Sequence, residues 1–118
     1  PLQPRDRATD LATSLISTGF GYEADVRAAQ AAITGRLLPR VRDIRRMGSA
    51  AIDLAWTAAG RYDAYYERGI KTWDYAAGAL ICEAAGLTVT HLDPLPPMDA
   101  GLLVAPRTLA DELGALVD

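Results

Sequence analysis

The sequence predicts an α/β fold: a single layered domain whose sheet carries helices on its faces. Two observations predict it. Short strand-like runs alternate with helix-period segments from one end of the chain to the other. Glycine or proline marks most of the changeovers, at Gly19, Gly21, Pro39, Gly48, Gly60 and Gly86. The length of 118 residues, 50% of them apolar, suits one compact unit with its own core. No internal repeat or low-complexity tract interrupts it.

Taken in order, Pro1–Asp10 holds two prolines and four charges, the composition of a linker or entry segment. The α/β domain then spans residues 11–118. Leu11–Ser17 is a short apolar run closed by Thr18, Gly19 and Gly21, which predicts a buried strand and a turn. Tyr22–Leu38 spaces Val26, Ala29, Ile33 and Leu37 as a helix does, and Pro39 ends it. Val41–Met47 alternates imperfectly, as a strand. Ser49 is a suitable N-cap for a helix with Ile52, Ala55, Trp56 and Ala59 on one face, stopped by Gly60. Arg61–Arg68 has the period and the aromatic content of a strand. The strongest helix pattern follows. Trp73, Ala76, Ala77, Leu80, Ile81 and Ala84 share one stripe, with Thr72 as N-cap and Gly86 at the close. Leu87–Leu92 predicts a strand, the proline-rich Asp93–Gly101 a loop, Leu102–Ala105 a short buried strand and Thr108–Val117 a last helix.

Composition narrows the function. A net charge of −3 argues against a nucleic-acid partner, because phosphate backbones are held by clustered Lys and Arg. The densest basic group, Arg36, Arg40, Arg42, Arg45 and Arg46, is broken by Leu37, Leu38, Pro39 and Asp43 and suits a solvated rim. The one cysteine, Cys82, cannot form an internal disulfide, which fits a reducing, cytoplasmic setting and a buried small side chain. The single histidine, His91, excludes an internal multi-His metal site and leaves a Ser-His-Asp triad little to build on. Apolar runs are too short to span a bilayer, and no signal peptide is visible. The opening Pro-Leu-Gln-Pro, without Met, points to further sequence upstream.

The chemistry concentrates between Gly48 and Gly86. Asp74 lies in the first turn of the best helix, where the macrodipole favours a carboxylate by about 0.3–1 kcal/mol. The same position suits a ligand for Mg²⁺, which takes one or two protein carboxylates together with waters and substrate phosphate. Glu67, seven residues earlier at the end of a strand, reaches the same region if Arg68–Thr72 folds back. It could bind metal, accept hydrogen bonds from substrate hydroxyls or pair with an arginine. Lys71 could offer charge to a phosphate or to Glu67. Gly48, Ser49 and Ala50 form a small-residue helix start whose free N–H groups suit phosphate or hydroxyl oxygens, or simply pack tightly on a strand.

These residues resemble a known family. Trp73-Asp74-Tyr75-Ala76-Ala77-Gly78, continued by Glu83-Ala84-Ala85-Gly86, is similar to the C-terminal signature of the inositol monophosphatase family. Arg45–Ala51, Asp53-Leu54-Ala55, Ala58-Ala59-Gly60, Asp63–Glu67 and the turn Ser17-Thr18-Gly19-Phe20 extend the likeness, which covers Leu11 to Asp118. It implies a mixed central sheet flanked by helices, the C-terminal half of that fold. It implies that Asp74 is a Mg²⁺ ligand, that Glu67 contacts substrate hydroxyls, that the backbone of Gly48, Ser49 and Ala50 contacts substrate, and that Lys71 lines the pocket. Ala85 stands where the signature has glycine, and the Asp93–Asp99 loop is richer in proline than is usual for the family.

The remaining metal ligands of that family come from an N-terminal domain with an Asp-Pro-Ile/Leu-Asp-Gly-Thr motif, and nothing like it occurs in these 118 residues. The resemblance therefore implies Mg²⁺-dependent hydrolysis of a small phosphate monoester, a sugar, inositol or related phosphate. This chain would give one metal ligand and the alcohol contacts and would be inactive without the N-terminal half; if a separate chain supplies that half, this domain would expose a large apolar face where it docks. Family habit adds a homodimer. The alternative is a non-catalytic binding or regulatory domain that retains the fold.

Overall fold

The computed structural model describes residues 8–118. Pro1–Arg7, most of the expected linker, lies outside them. Nine regular elements follow in order: β1 (Leu15–Thr18), α1 (Ala24–Leu37), β2 (Asp43–Arg45), α2 (Ala50–Ala58), β3 (Ala64–Arg68), α3 (Thr72–Ala84), β4 (Thr88–Leu92), β5 (Gly101–Ala105) and α4 (Arg107–Val117). Every strand and helix expected from the pattern is present. The first strand begins late, because Asp10 caps a 3₁₀ turn, Leu11–Thr13, by accepting a 3.0 Å bond from the Thr13 N–H.

The sheet is mixed, with order β2-β1-β3-β5-β4. β1 runs parallel to β2 and β3, whereas β5 is antiparallel to both β3 and β4. Parallel neighbours need crossovers, and α1 and α2 supply them. Asp63 ties the entry of this sheet together: its carboxylate accepts from the Ala8 N–H at 3.1 Å and the Leu15 N–H at 2.8 Å.

Two apolar clusters sandwich the sheet. One joins Ile16, Ala64, Tyr66 and Leu103 to Ile33 and Leu37 of α1 and Leu113 and Val117 of α4. The other joins Tyr65, Leu102 and Val104 to Leu54 and Ala58 of α2 and Ala79 and Cys82 of α3. Alternation along β3 divides Tyr65 from Tyr66, one to each layer. Arg68 binds the first layer to the strand end. It donates to the Val117 carbonyl (2.5 Å), the Asp93 carbonyl (3.2 Å) and the Asp118 carboxylate (3.3 Å).

The helix faces depart from expectation. The stripe of α3 built on Trp73, Ala76, Ala77, Leu80, Ile81 and Ala84 points outward, with Trp73 80% and Leu80 68% exposed. Inward go Ala79, Cys82 and Gly78, whose small size lets α3 close on α2. A Cβ added to Gly78 would fall 2.7 Å from Leu54. On α2 the buried residues are Asp53, Leu54, Thr57 and Ala58, while Ile52 of the expected face is exposed. Lys71, rather than Thr72, is the N-cap of α3, and it makes no side-chain capping bond. At the other end Ala85 takes an ordinary negative φ and Gly86 the left-handed one, +89°, so an alanine at 85 fits without strain.

Candidate active site

The chain after β1, β2 and β3 opens onto a single crevice at the carboxyl ends of these parallel strands. β1 lies between β2 and β3, and the β1-to-β2 crossover α1 and the β2-to-β3 crossover α2 cover opposite faces of the sheet. Open α/β sheets bind ligands at such a switch point. A cavity of ≈ 530 Å³ occupies it, lined from β1 by Gly19 and Phe20, from β2 by Arg46 and Gly48–Ala51, and from β3 by Glu67–Ile70. Asp74 of α3, Met98 and Asp99 of the proline-rich loop, and the segment from Gly21 into α1 with Val26 and Gln30 form the rest of the wall.

The helix start is built as its sequence suggests. Gly48 takes φ +82°, the left-handed region where a side chain is strained. That turn sets Ser49 to cap α2, and its Oγ accepts from the Ile52 N–H at 3.3 Å. The Asp53 N–H reaches the Ser49 carbonyl at 2.9 Å, so the N–H groups of Ala50 and Ala51 are left without helical partners at the cavity wall.

Glu67 stands half-buried on the opposite wall. Tyr65 Oη donates to its Oε1 at 2.8 Å. Burial pushes its carboxyl above the usual glutamate range, opposed by the Tyr65 hydrogen bond. Asp53 and Asp74 push the same way as burial, and Arg46 against it. Beneath the cavity Asp53 is fully buried. One oxygen accepts from Ser17 Oγ at 2.6 Å and the other has no hydrogen-bond partner among the described residues, and burial raises this carboxyl too.

Of the residues picked out in the sequence, Gly48, Ser49, Ala50, Glu67 and Asp74 therefore share one cavity. Lys71 does not line it; it lies exposed at the mouth of α3. Sequence reasoning passed over Arg46, Asp99 and Tyr65. The signal for Tyr65 was present, since residues two apart on a strand share a face. Asp99 comes from a loop whose path no periodicity reports.

Residues 1–118, the whole chain, match the model of the inositol monophosphatase family. The chain belongs to that family. Inositol-1-monophosphatase SuhB of Mycobacterium tuberculosis is 50% identical over 106 residues, 88% of this chain but 36% of the relative. Nus factor SuhB of Escherichia coli is 45% identical over 80 residues, 67% of this chain and 30% of that protein. Among solved structures, Mycobacterium tuberculosis SuhB superposes with a TM-score of 0.82 at 44% identity, and the inositol monophosphatase of Anabaena with 0.80 at 35%. They cover 95% and 99% of this chain, and it covers 44% and 49% of theirs. This family member thus spans about a third of the length of its curated relatives and just under half of each solved chain. The fold is that of the inositol monophosphatases.

The fit to a metal is partial. Among the described residues no group of three or more His, Cys, Asp and Glu side chains gathers to hold an ion. Asp74 is exposed on the cavity wall, and among the described residues no hydrogen bond or ion pair occupies its carboxylate, which suits one ligand of a shared site for a hard cation.

Proposed function

We propose that this chain is the alcohol-binding half of a Mg²⁺-dependent phosphatase acting on a small phosphate monoester such as an inositol or sugar phosphate. The observation that carries this reading is the convergence of Asp74, Glu67 and the Gly48–Ala50 helix start on one cavity at the carboxyl ends of β1, β2 and β3. In it Asp74 holds Mg²⁺ from the α3 side, which on binding would polarise the phosphate and acidify a water. Glu67 accepts a hydrogen bond from a substrate hydroxyl. The N–H groups of Ala50 and Ala51 meet an oxygen of the substrate, favoured by the positive end of the α2 dipole. Gly48 and Ala50, lacking bulk, let that oxygen approach.

A complete metal site requires ligands from an N-terminal half, so the chain alone is expected to be inactive. The outward apolar face of α3 supports this, being a surface that a further domain would cover. The regulatory alternative draws on relatives named Nus factor SuhB. Phosphate release from inositol 1-phosphate by this chain joined to the N-terminal half of Mycobacterium tuberculosis SuhB separates the two. The phosphatase reading expects Mg²⁺-dependent turnover. Asp74→Asn should reduce it by roughly two orders of magnitude, the scale of losing one preorganised charge-stabilising group. Its melting temperature should barely move, since only a small dipole contribution is lost. Full activity in Asp74→Asn would remove the metal-ligand role.

A further inference from the structure

Glu67 is a long side chain with three rotatable bonds, yet its carboxylate is seated on two sides. On one side lies Tyr65, two residues earlier on β3 and therefore on the same face of the sheet. Its ring is wholly buried among Leu54, Ala58, Cys82 and Leu102, and its hydroxyl donates to Glu67 Oε1 at 2.8 Å. On the other side lies Gly19, just past β1. A Cβ there would fall 2.3 Å from Oε1, 2.5 Å from Cδ and 2.6 Å from Oε2. The carboxylate rests directly against a backbone position that has no side chain. Oε1 is thus taken by the phenol, while Oε2 has no protein hydrogen bond among the described residues and Glu67 lines the cavity.

We propose that Tyr65 is a positioning residue that, with Gly19, clamps the Glu67 carboxylate so that Oε2 is presented to a hydroxyl of the substrate. This rests on the reading that Glu67 contacts the substrate alcohol, and it adds the device that orients it. The phenol never meets substrate. Its anchorage in the core converts a flexible acceptor into one of fixed direction, which is how a site discriminates the placement of a hydroxyl. The charged groups facing Glu67 are Asp53 and Asp74, both negative, and Arg46, positive.

The test uses two variants. Tyr65→Phe keeps the ring in the core and removes only the donor. Gly19→Ala is admissible for the backbone, because Gly19 does not have positive φ, and the atoms it meets are the end of a flexible side chain. Glu67 rather than the fold should therefore give way. A ¹³C carboxyl titration of Glu67 in this chain, without substrate or metal, should show opposite shifts. Losing the phenol moves the midpoint up from wild type, because a bond to the ionised form is gone. Gly19→Ala moves it down, because the carboxylate leaves its buried seat. A loosened core would instead lower both, and a midpoint unmoved or lowered in Tyr65→Phe overturns the clamp. In the joined enzyme Tyr65→Phe should raise KM by about 3- to 10-fold with kcat little changed, the scale of one hydrogen bond. An unmoved KM overturns the positioning role. If the wild-type joined enzyme shows no turnover, the phosphatase reading falls, and the titration still decides the clamp.

Discussion

Asp53 shows how a single buried carboxyl ties stability to pH. It sits on the buried face of α2, fully removed from water, with Ser17 Oγ as donor to one oxygen and no partner on the other among the described residues. Burial raises its carboxyl, with Ser17 and Arg46 opposing. The folded state therefore holds a proton more tightly than the unfolded chain, and stability contributed by the protonated form is lost as pH rises from near 4 through the raised value. Asp53→Asn removes this titration and keeps an oxygen for Ser17. Melting temperatures of the two proteins measured from pH 4 to 8 should diverge, the variant gaining on wild type as pH rises and then running parallel. A constant difference across that range would mean that Asp53 ionises normally. Its ionisation bears on the cavity, because the same charge raises Glu67 above it.

At the scale of the element, α3 teaches most about what sequence discloses. Its 3.6-residue period was legible, as were its first-turn Asp74 and its closing Gly86. So were the Ser49 cap of α2 and the strand carrying Glu67, and five of the six residues picked out in the sequence line one cavity. The direction of the α3 stripe was not legible, because a moment shows only that an apolar side exists and not what covers it. Small residues choose the inward face instead. Gly78 admits Leu54 to the axis of α3, and each such buried Leu is worth about 1.5–3 kcal/mol. Gly78→Val should cost about 2–3 kcal/mol in denaturant unfolding through overpacking against Leu54. Gly35→Ala is the internal control: α1 leaves open space around its Cβ, so it should stabilise by about 0.5–1 kcal/mol through helix propensity alone. Equal effects at both positions would mean that propensity, not packing, decides.

For the whole molecule the arrangement of layers is asymmetric. One side of the sheet is closed by α1 and α4, which turn outward alanines and charged or polar side chains but no large apolar ones. The other is closed by α2 and α3, which turn Ile52, Trp73, Leu80 and Ile81 outward. Trp73 and Leu80 contribute little to the core of this chain, since they are mostly in water, whereas Ile52 and Ile81 keep less than half of their surface exposed. Replacing Leu80 should therefore leave its stability nearly unchanged, within about 0.5 kcal/mol as for other surface positions, while replacing Ile81 should cost about 1 kcal/mol for the burial it loses. The double variant Leu80→Lys, Ile81→Glu should melt within a few degrees of wild type and should be more soluble, with less binding of a hydrophobic dye. In the chain joined to an N-terminal half, the same two changes should abolish Mg²⁺-dependent turnover, because charges would be buried where apolar surface is required. A large drop in melting temperature in the chain alone would mean that the stripe packs within this domain. Unchanged stability with unchanged turnover in the joined enzyme would mean that α3 faces water there too, and that the two halves meet elsewhere.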